Sequence, residues 1–188
     1  MDPEKLRENI ATGKVTRNQL YKLRNRYASL LSDPSKAKLA SDLLDVVEAT
    51  EIPKSMAEYL FLGHCPGGMV ENSLLDEWVD DSYCDFRHIE DEKQLQKFFE
   101  IYPGDILILK KRDIAKQEME ISAWGKVTSV HTSRTTGIPY LRVDWTKPDH
   151  FLLVPLMGCT RTVNVRSLEK VENTMPPEFW EWLTPKNH

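Results

Sequence analysis

The sequence predicts an α+β protein: a small N-terminal helical unit, then a strongly bent or closed β-sheet with helices at its rim. Two observations carry this. Through residue 50, apolar residues recur at three- and four-residue spacing, the period of a buried helix face. From residue 57 the chain switches to short β-branched and aromatic runs bounded by Gly, Pro, Asn and Asp. Between the two, "TEIPKS" holds Pro53, which cannot continue a helix. The expected division is a helical domain over 1–50, a linker over 51–56 and a mixed domain over 57–188.

A short first helix is expected over about residues 3–11. A second begins at Thr16-Arg17-Asn18-Gln19, a capping box in which Thr16 accepts from the Gln19 amide and the Gln19 side chain reaches back. Leu20, Leu23, Tyr27, Leu30 and Leu31 then form one face. Asp33-Pro34 is a third start signal, with Asp at the cap and Pro in the first turn. Leu39, Leu43, Leu44, Val46 and Val47 give that helix its apolar stripe.

In the second part, residues 57–63 read as a strand and 72–79, "NSLLDEWV", as a short helix capped by Asn72. Residues 91–101 read as another helix, with Leu95, Phe98, Phe99 and Ile101 facing inward. Pro103-Gly104-Asp105 is a turn. The run 106–110, "ILILK", lacks alternation and so reads as a strand buried on both faces. Residues 120–130 and 140–145 are strands joined by the hairpin loop "HTSRTTGIP"; "HFLLVPL" and "RTVNV" add one or two more. "PPEFWEWL" is a Pro-started terminal helix expected to bury Phe179, Trp180 and Leu183.

Composition narrows the function classes. The chain has 188 residues, 40% apolar and 29% charged, which suits a globular core rather than disorder. No apolar run approaches the roughly 18 residues that span a bilayer, and "MDPEKLRENI" lacks the apolar core of a signal peptide. No membrane association is expected. Three cysteines at unrelated spacings argue against a disulfide scaffold and for a reducing cytoplasm. The net charge of −4 argues against a general nucleic-acid coat. Its distribution allows local contacts: residues 1–30 carry seven basic and three acidic groups, residues 51–100 four and twelve, residues 101–150 eight and six.

The stretch "EYLFLGHCPGG" is the most suggestive. A buried strand runs into a glycine-flanked turn holding His64 and Cys65. Zinc would need a second pair, and Cys84-x3-His88 could supply it, but adjacent residues rarely both turn inward to one metal. A cysteine nucleophile needs a base and a thiolate-stabilising partner that the sequence does not show. A phosphate cradle needs a helix start and usually a Lys after the glycines, and "GGMVENSL" has no Lys. Nuclease chemistry needs clustered carboxylates with a Lys or a metal finger, which Lys147-Pro148-Asp149-His150 and Lys186-Asn187-His188 do not provide. No catalytic residue, metal or cofactor is expected. The tryptophans remain: Trp78, Trp124 and Trp145 sit near strand ends or mid-strand, where an aromatic face can pack in the core or stack on a flat base.

The strings "EYLFLGHCPGG", "LLDEWVDDSY", "PGDILILKK", "ISAWGKVTSV" and "YLRVDW", in that order, resemble the EVE-like branch of the PUA/YTH/EVE superfamily. The likeness extends over about residues 57–183 and takes in EVE-type specificity domains attached to McrB-like GTPases or HNH nucleases of modification-dependent restriction. The resemblance implies a PUA-like bent β-barrel sheet. It implies a non-enzymatic DNA-recognition module that flips a modified base, often 5-methylcytosine, into an aromatic pocket. Carried over by position, Gly63, His64, Cys65, Trp78, Ser82 and Trp124 would form that pocket, with Trp78 and Trp124 stacking and Gly63–Cys65, His64 or Ser82 reading the base edge. Lys110, Lys111, Arg112 and Arg134 would hold phosphates, with Lys14, Arg17 and Arg24 added from the helical unit. The implied partners are modified double-stranded DNA and GTPase or nuclease subunits. The chain departs from the family at Leu60 and Pro66, where relatives often place aromatics, and over 152–162. Three rivals stand beside this reading: an RNA-binding module of the PUA/YTH kind, a regulatory protein-interaction domain, and a metal-dependent enzyme built on His64, Cys65, Cys84 and His88.

Overall fold

The computed structural model describes residues 2–132 and 139–184. The expected inward position of the Phe99 side chain, Arg134 and the tip of the predicted hairpin loop lie outside the described part.

Three helices open the chain. In α1 (Pro3–Ala11), Asp2 accepts from the Glu4 amide and Pro3 takes the first position. In α2 (Arg17–Leu30) the capping box forms as the sequence predicts: Gln19 N–H donates to Thr16 Oγ1 at 3.3 Å and Thr16 N–H to Gln19 Oε1 at 2.8 Å. The third helix, α3 (Ala37–Ala49), starts later than Asp33-Pro34 suggests. The Asp33 carboxylate is engaged by Ser35 and Lys36, closing a turn before the helix begins.

Seven strands follow: β1 (Glu58–Gly63), β2 (Tyr83–Asp85), β3 (Ile106–Asp113), β4 (Glu118–Thr132), β5 (Pro139–Thr146), β6 (Leu152–Pro155) and β7 (Val163–Ser167). They form one mixed sheet in the order β2-β5-β4-β3-β1-β7, with β6 also paired to β4. β1 and β3 are parallel and the remaining pairs antiparallel. The sheet is open and does not close into the barrel that the sequence allowed. β4 carries two irregularities: Ser122 is skipped opposite Leu109 and Lys110 of β3, and Thr128 opposite Arg142 and Val143 of β5, and such bulges kink a strand and raise its twist. The first part of β4 pairs with β6 and the second with β5.

The helices α4 (Leu75–Asp80), α5 (Glu92–Gln96), α6 (Leu168–Glu172) and α7 (Pro177–Trp182) flank the sheet. α4 begins three residues after the predicted Asn72 cap. Asn72 lies in a 3-10 turn, and Ser73 Oγ accepts from the Leu75 amide instead. The predicted helix over 91–101 is shorter: Asp91 caps α5, which tightens into a 3-10 turn over Lys97–Glu100. In α7 it is Trp182, not Trp180, that is buried beside Phe179; its indole N–H donates to His150 O at 3.0 Å. Among the described residues no helix is long and apolar enough to cross a membrane.

Strand alternation divides the core. Leu60, Leu62, Leu107, Leu109, Ala123 and Val143 face one side, against Trp78, Phe86 and Phe98. Tyr59, Phe61, Ile108 and Ile121 face the other, against Val171, Phe179 and Trp182. The run 106–110 is thus covered on both faces, which is why it carries no polar alternation.

The helical unit is docked on the N-terminal ends of β1 and β3. Ile52, from the expected linker, and Tyr102 are buried in the helical core, and Ile52 N–H donates to Pro103 O at 2.8 Å. A Cβ on Gly104 (φ 102°) would sit 2.9 Å from Ile52 O, so this approach requires glycine. Asp105, 0% exposed, anchors the junction. Its carboxylate accepts from Arg17 Nη1 (2.7 Å) and Nη2 (3.0 Å), and from the amides of Glu58 (2.8 Å) and Tyr102 (2.9 Å). Arg17 also reaches the carbonyls of Met56 and Glu100 and lies 5.1 Å from the centroid of the Tyr102 ring.

Candidate functional site

The opposite end of β1 carries the candidate site. Period-two alternation puts His64 on the same side as Leu60 and Leu62, hence on the side of Trp78. Past His64 the chain turns through Pro66–Gly68, with Gly67 and Gly68 at φ 68° and 76°, conformations that favour glycine. It then returns so that Leu74 N–H donates to His64 O at 2.8 Å. This return sets α4 over the end of the strand and delivers Trp78 into the core, 0% exposed.

His64 is buried, and its Nδ1 lies 3.0 Å from Ser73 Oγ. Cys65 Sγ lies 3.5 Å from the same nitrogen. Ser73 Oγ also accepts from the Leu75 amide. His64 Nε2 is buried and has no partner among the described residues. The same holds for the Trp78 indole nitrogen and for both ring nitrogens of His88. The Trp78 and His88 rings are 5.6 Å apart, tilted by 40°. His88 lies beside the Gly63 backbone, which favours its protonated form, yet neither ring nitrogen is in hydrogen-bond geometry. Buried polar groups in folded proteins are nearly always paired. His64, Trp78 and His88 account for four ring nitrogens without a partner among the described residues; Trp124 Nε1, on the other face of the sheet, is another.

Electrostatics keep the site neutral. Burial, and then the charge of Lys111, push the His64 pKa down to about 4. Burial lowers that of His88 as well. Burial raises the Cys65 thiol, the wrong direction for a nucleophile. Cys84 is fully buried and its thiol is raised well above the usual range. All three cysteines are free thiols, and among the described residues no three His, Cys, Asp or Glu groups come together in a metal-binding arrangement. The site holds uncharged rings with unpaired nitrogens: an N–H donor on Trp78, Nε2 of His64, and a donor and an acceptor on His88.

The structure brings Gly63, His64, Cys65 and Trp78 together and leaves other expected members elsewhere. Trp124 is mid-β4, opposite Ile108 and Thr146, and packs on the other face of the sheet from Trp78. One residue of strand register separates it from Ala123 on the Trp78 side, so the two indoles cannot flank one ring. Trp78 is fully covered and presents no stacking face; its indole N–H has no partner among the described residues. Ser82 is exposed beyond the far end of α4, in a left-handed turn (φ 54°) whose carbonyl accepts from Val143. Gly63 is a strand residue, paired through its N–H to Thr162 O at 2.8 Å.

The expected phosphate contacts divide in the same way. Lys111 and Arg112 are exposed at the end of β3 beside the site, Arg112 donating to Thr160 O. Lys110 is 2% exposed, and its ammonium donates to Cys159 O at 3.0 Å and Arg161 O at 2.8 Å. Burial lowers its pKa to about 8. It caps the 157–162 loop and does not reach solvent. Arg17 is held by Asp105, and Arg24 is 4% exposed, paired with Glu48 and 5.2 Å from the Phe98 ring centroid. Lys14 is exposed and paired with Glu8. Arg17, bound at Asp105, belongs to the Glu58 end of β1, five residues or roughly 17 Å of strand from Gly63. Arg134 lies outside the described residues.

Two participants escaped the sequence reading. His88 was considered only as a metal ligand with Cys84; the turn after β2 sends Cys84 into the core and His88 towards Trp78. Ser73 falls inside the helix the sequence predicts over 72–79, and only the later start at Leu75 frees its side chain to face His64. No protein-family model matches the chain, and neither a curated protein nor a solved structure matches it.

Proposed function

We propose that the chain is a non-enzymatic DNA-recognition module of the EVE-like, PUA-related kind, acting in the cytoplasm within a modification-dependent restriction system. It senses a modified base, in the first instance a methylated cytosine, flipped from the duplex to the end of β1. Nuclease or GTPase activity belongs to a partner. The observation that carries the reading is the set of buried, uncharged ring nitrogens without hydrogen-bond partners on His64, Trp78 and His88, the last two in ring contact. A nucleobase edge is a planar array of donors and acceptors, the complement of such a set. A neutral reader suits a neutral base, whereas phosphate would call for charge. Lys111 and Arg112 stand at the rim, where a backbone contact belongs.

The cost of extrusion is a few kcal/mol. With Trp78 as an edge reader and Trp124 on the far face, hydrogen bonds to the base edge replace the two-indole stack as its main compensation. The test is equilibrium binding to matched duplexes with and without modified cytosine, and to RNA of the same sequence, at one stated salt concentration. The reading expects the modified duplex to bind at least about tenfold more tightly than the unmodified one, or about 1.4 kcal/mol. Equal affinity for both duplexes, or tighter binding of unmodified RNA, would sink it.

A further inference from the structure

A groove of about 590 Å³ runs between α7 and the connection from β5 to β6, apart from the β1 site. Its volume falls in the range of small-molecule sites, roughly 300–1,000 Å³. Trp145, Pro148, Leu152 and Trp182 contribute apolar wall; Glu178 and Glu181 stand on the α7 side.

The two indoles are fixed by their polar edges. Trp182 Nε1 donates to His150 O at 3.0 Å and Trp145 Nε1 to Tyr83 O at 3.1 Å. With both N–H groups used, the rings contribute carbon and not a donor to the groove wall, and aromatic surface is favourable to cations. The charge at the rim has the same preference. Glu178 and Glu181 are three residues apart, on one face of α7. Both are exposed, and neither has an ion-pair partner among the described residues. The one lysine in the lining, Lys147, is turned to Asp76 at 2.5 Å. Aromatic surface and unpaired carboxylates therefore face the same space.

We propose that this groove binds a small organic cation with an apolar body, such as an aryl- or alkyl-substituted quaternary ammonium. The cationic head sits between the Glu178 and Glu181 carboxylates and the apolar body lies against Trp145, Leu152 and Trp182. An anion of the same shape is excluded by the carboxylates, and a neutral one loses the charge contact.

The full chain is titrated with benzyltrimethylammonium, benzyl alcohol and benzenesulfonate, and binding is read by tryptophan fluorescence and calorimetry. The cation is expected to bind, more weakly as salt rises, and the other two to bind at least about tenfold less well. Glu178→Gln with Glu181→Gln changes only exposed side chains, and far-ultraviolet circular dichroism checks that the fold is kept. That double variant is expected to lose about tenfold in affinity for the cation. The proposal is overturned by equal binding of the sulfonate or the alcohol, by unchanged cation affinity in the double variant, or by no binding of the cation at millimolar concentration.

Discussion

Replacing Arg17 with alanine should uncouple the helical unit from the sheet, and the size of the effect follows from the geometry. The Asp105 carboxylate has no solvent exposure and four donors, two of them from Arg17. Without Arg17 it keeps two backbone amides but no countercharge. Removing one partner of a buried ion pair costs about 3–5 kcal/mol. The Arg17 side chain is 19% exposed, so water screens part of the pair and the lower end, about 3 kcal/mol, is expected. Burial opposes the Arg17 cation, while the Asp105 and Glu58 carboxylates raise its pKa overall, so the guanidinium stays charged. With a urea slope of about 2 kcal/mol per molar, the midpoint should fall by about 1.5 M. Asp105→Asn should not be benign either: both oxygens accept from backbone amides, so either amide orientation sets an NH2 group against an N–H. In a double-mutant cycle the coupling between the two positions should exceed about 1 kcal/mol, above that of a surface pair. A loss below 1 kcal/mol for Arg17→Ala, with unchanged unfolding cooperativity, would refute the reasoning.

Three further outcomes are expected. His64 has a folded pKa of about 4 against 6.5 for the free side chain. Its contribution is fully present above pH 6.5 and is lost as pH falls towards 4, up to about 3 kcal/mol, because only the unfolded state takes up the proton there. In urea melts across that range, His64→Gln should flatten the slope of stability against pH; an unchanged slope would mean that the imidazole is not held neutral. Lys110→Met leaves the carbonyls of Cys159 and Arg161 without their donor and should cost about 1–3 kcal/mol in a thermal or urea melt; a gain would show that the 157–162 loop does not depend on the ammonium. Lys111→Ala should lower DNA affinity with little change in preference for modification, and reduce the salt dependence by about one phosphate contact; an unchanged salt slope would remove Lys111 from the backbone contact.

The local grammar of the chain was legible because it is written in nearest neighbours. The Thr16–Gln19 capping box, the unalternating 106–110 strand and the Pro-started α7 each depend on residues a few positions apart. The errors came where a long-range partner decides. Arg17 and Arg24 read as free cations on a basic segment, but Asp105 and Glu48 claim them after folding. Lys110 looked like a companion of Lys111 and Arg112; strand alternation puts it on the Ile108 face, where the carbonyls of the 157–162 loop take its ammonium. Trp78 and Trp124 looked like two walls of one pocket, yet strand parity sends them to opposite faces, and parity shows only once Trp124 is paired with Ile108. His88 joins the site through tertiary contact alone, which no local pattern announces.

The central claim is that the buried ring nitrogens at the end of β1 meet a base, and the Trp78 indole N–H is its most direct reporter. The chain has five tryptophans. The indole N–H groups of Trp145 and Trp182 already donate to backbone carbonyls, whereas those of Trp78 and, on the other face of the sheet, Trp124 have no partner among the described residues. Indole resonances of 15N-labelled protein, assigned by single Trp→Phe variants, can be followed as a duplex with modified cytosine is added. The account predicts that the Trp78 N–H resonance moves downfield as it gains an acceptor, while the Trp145 and Trp182 resonances hold and an unmodified duplex leaves all of them in place. A Trp78 resonance that stays fixed at saturation with the modified duplex would contradict it.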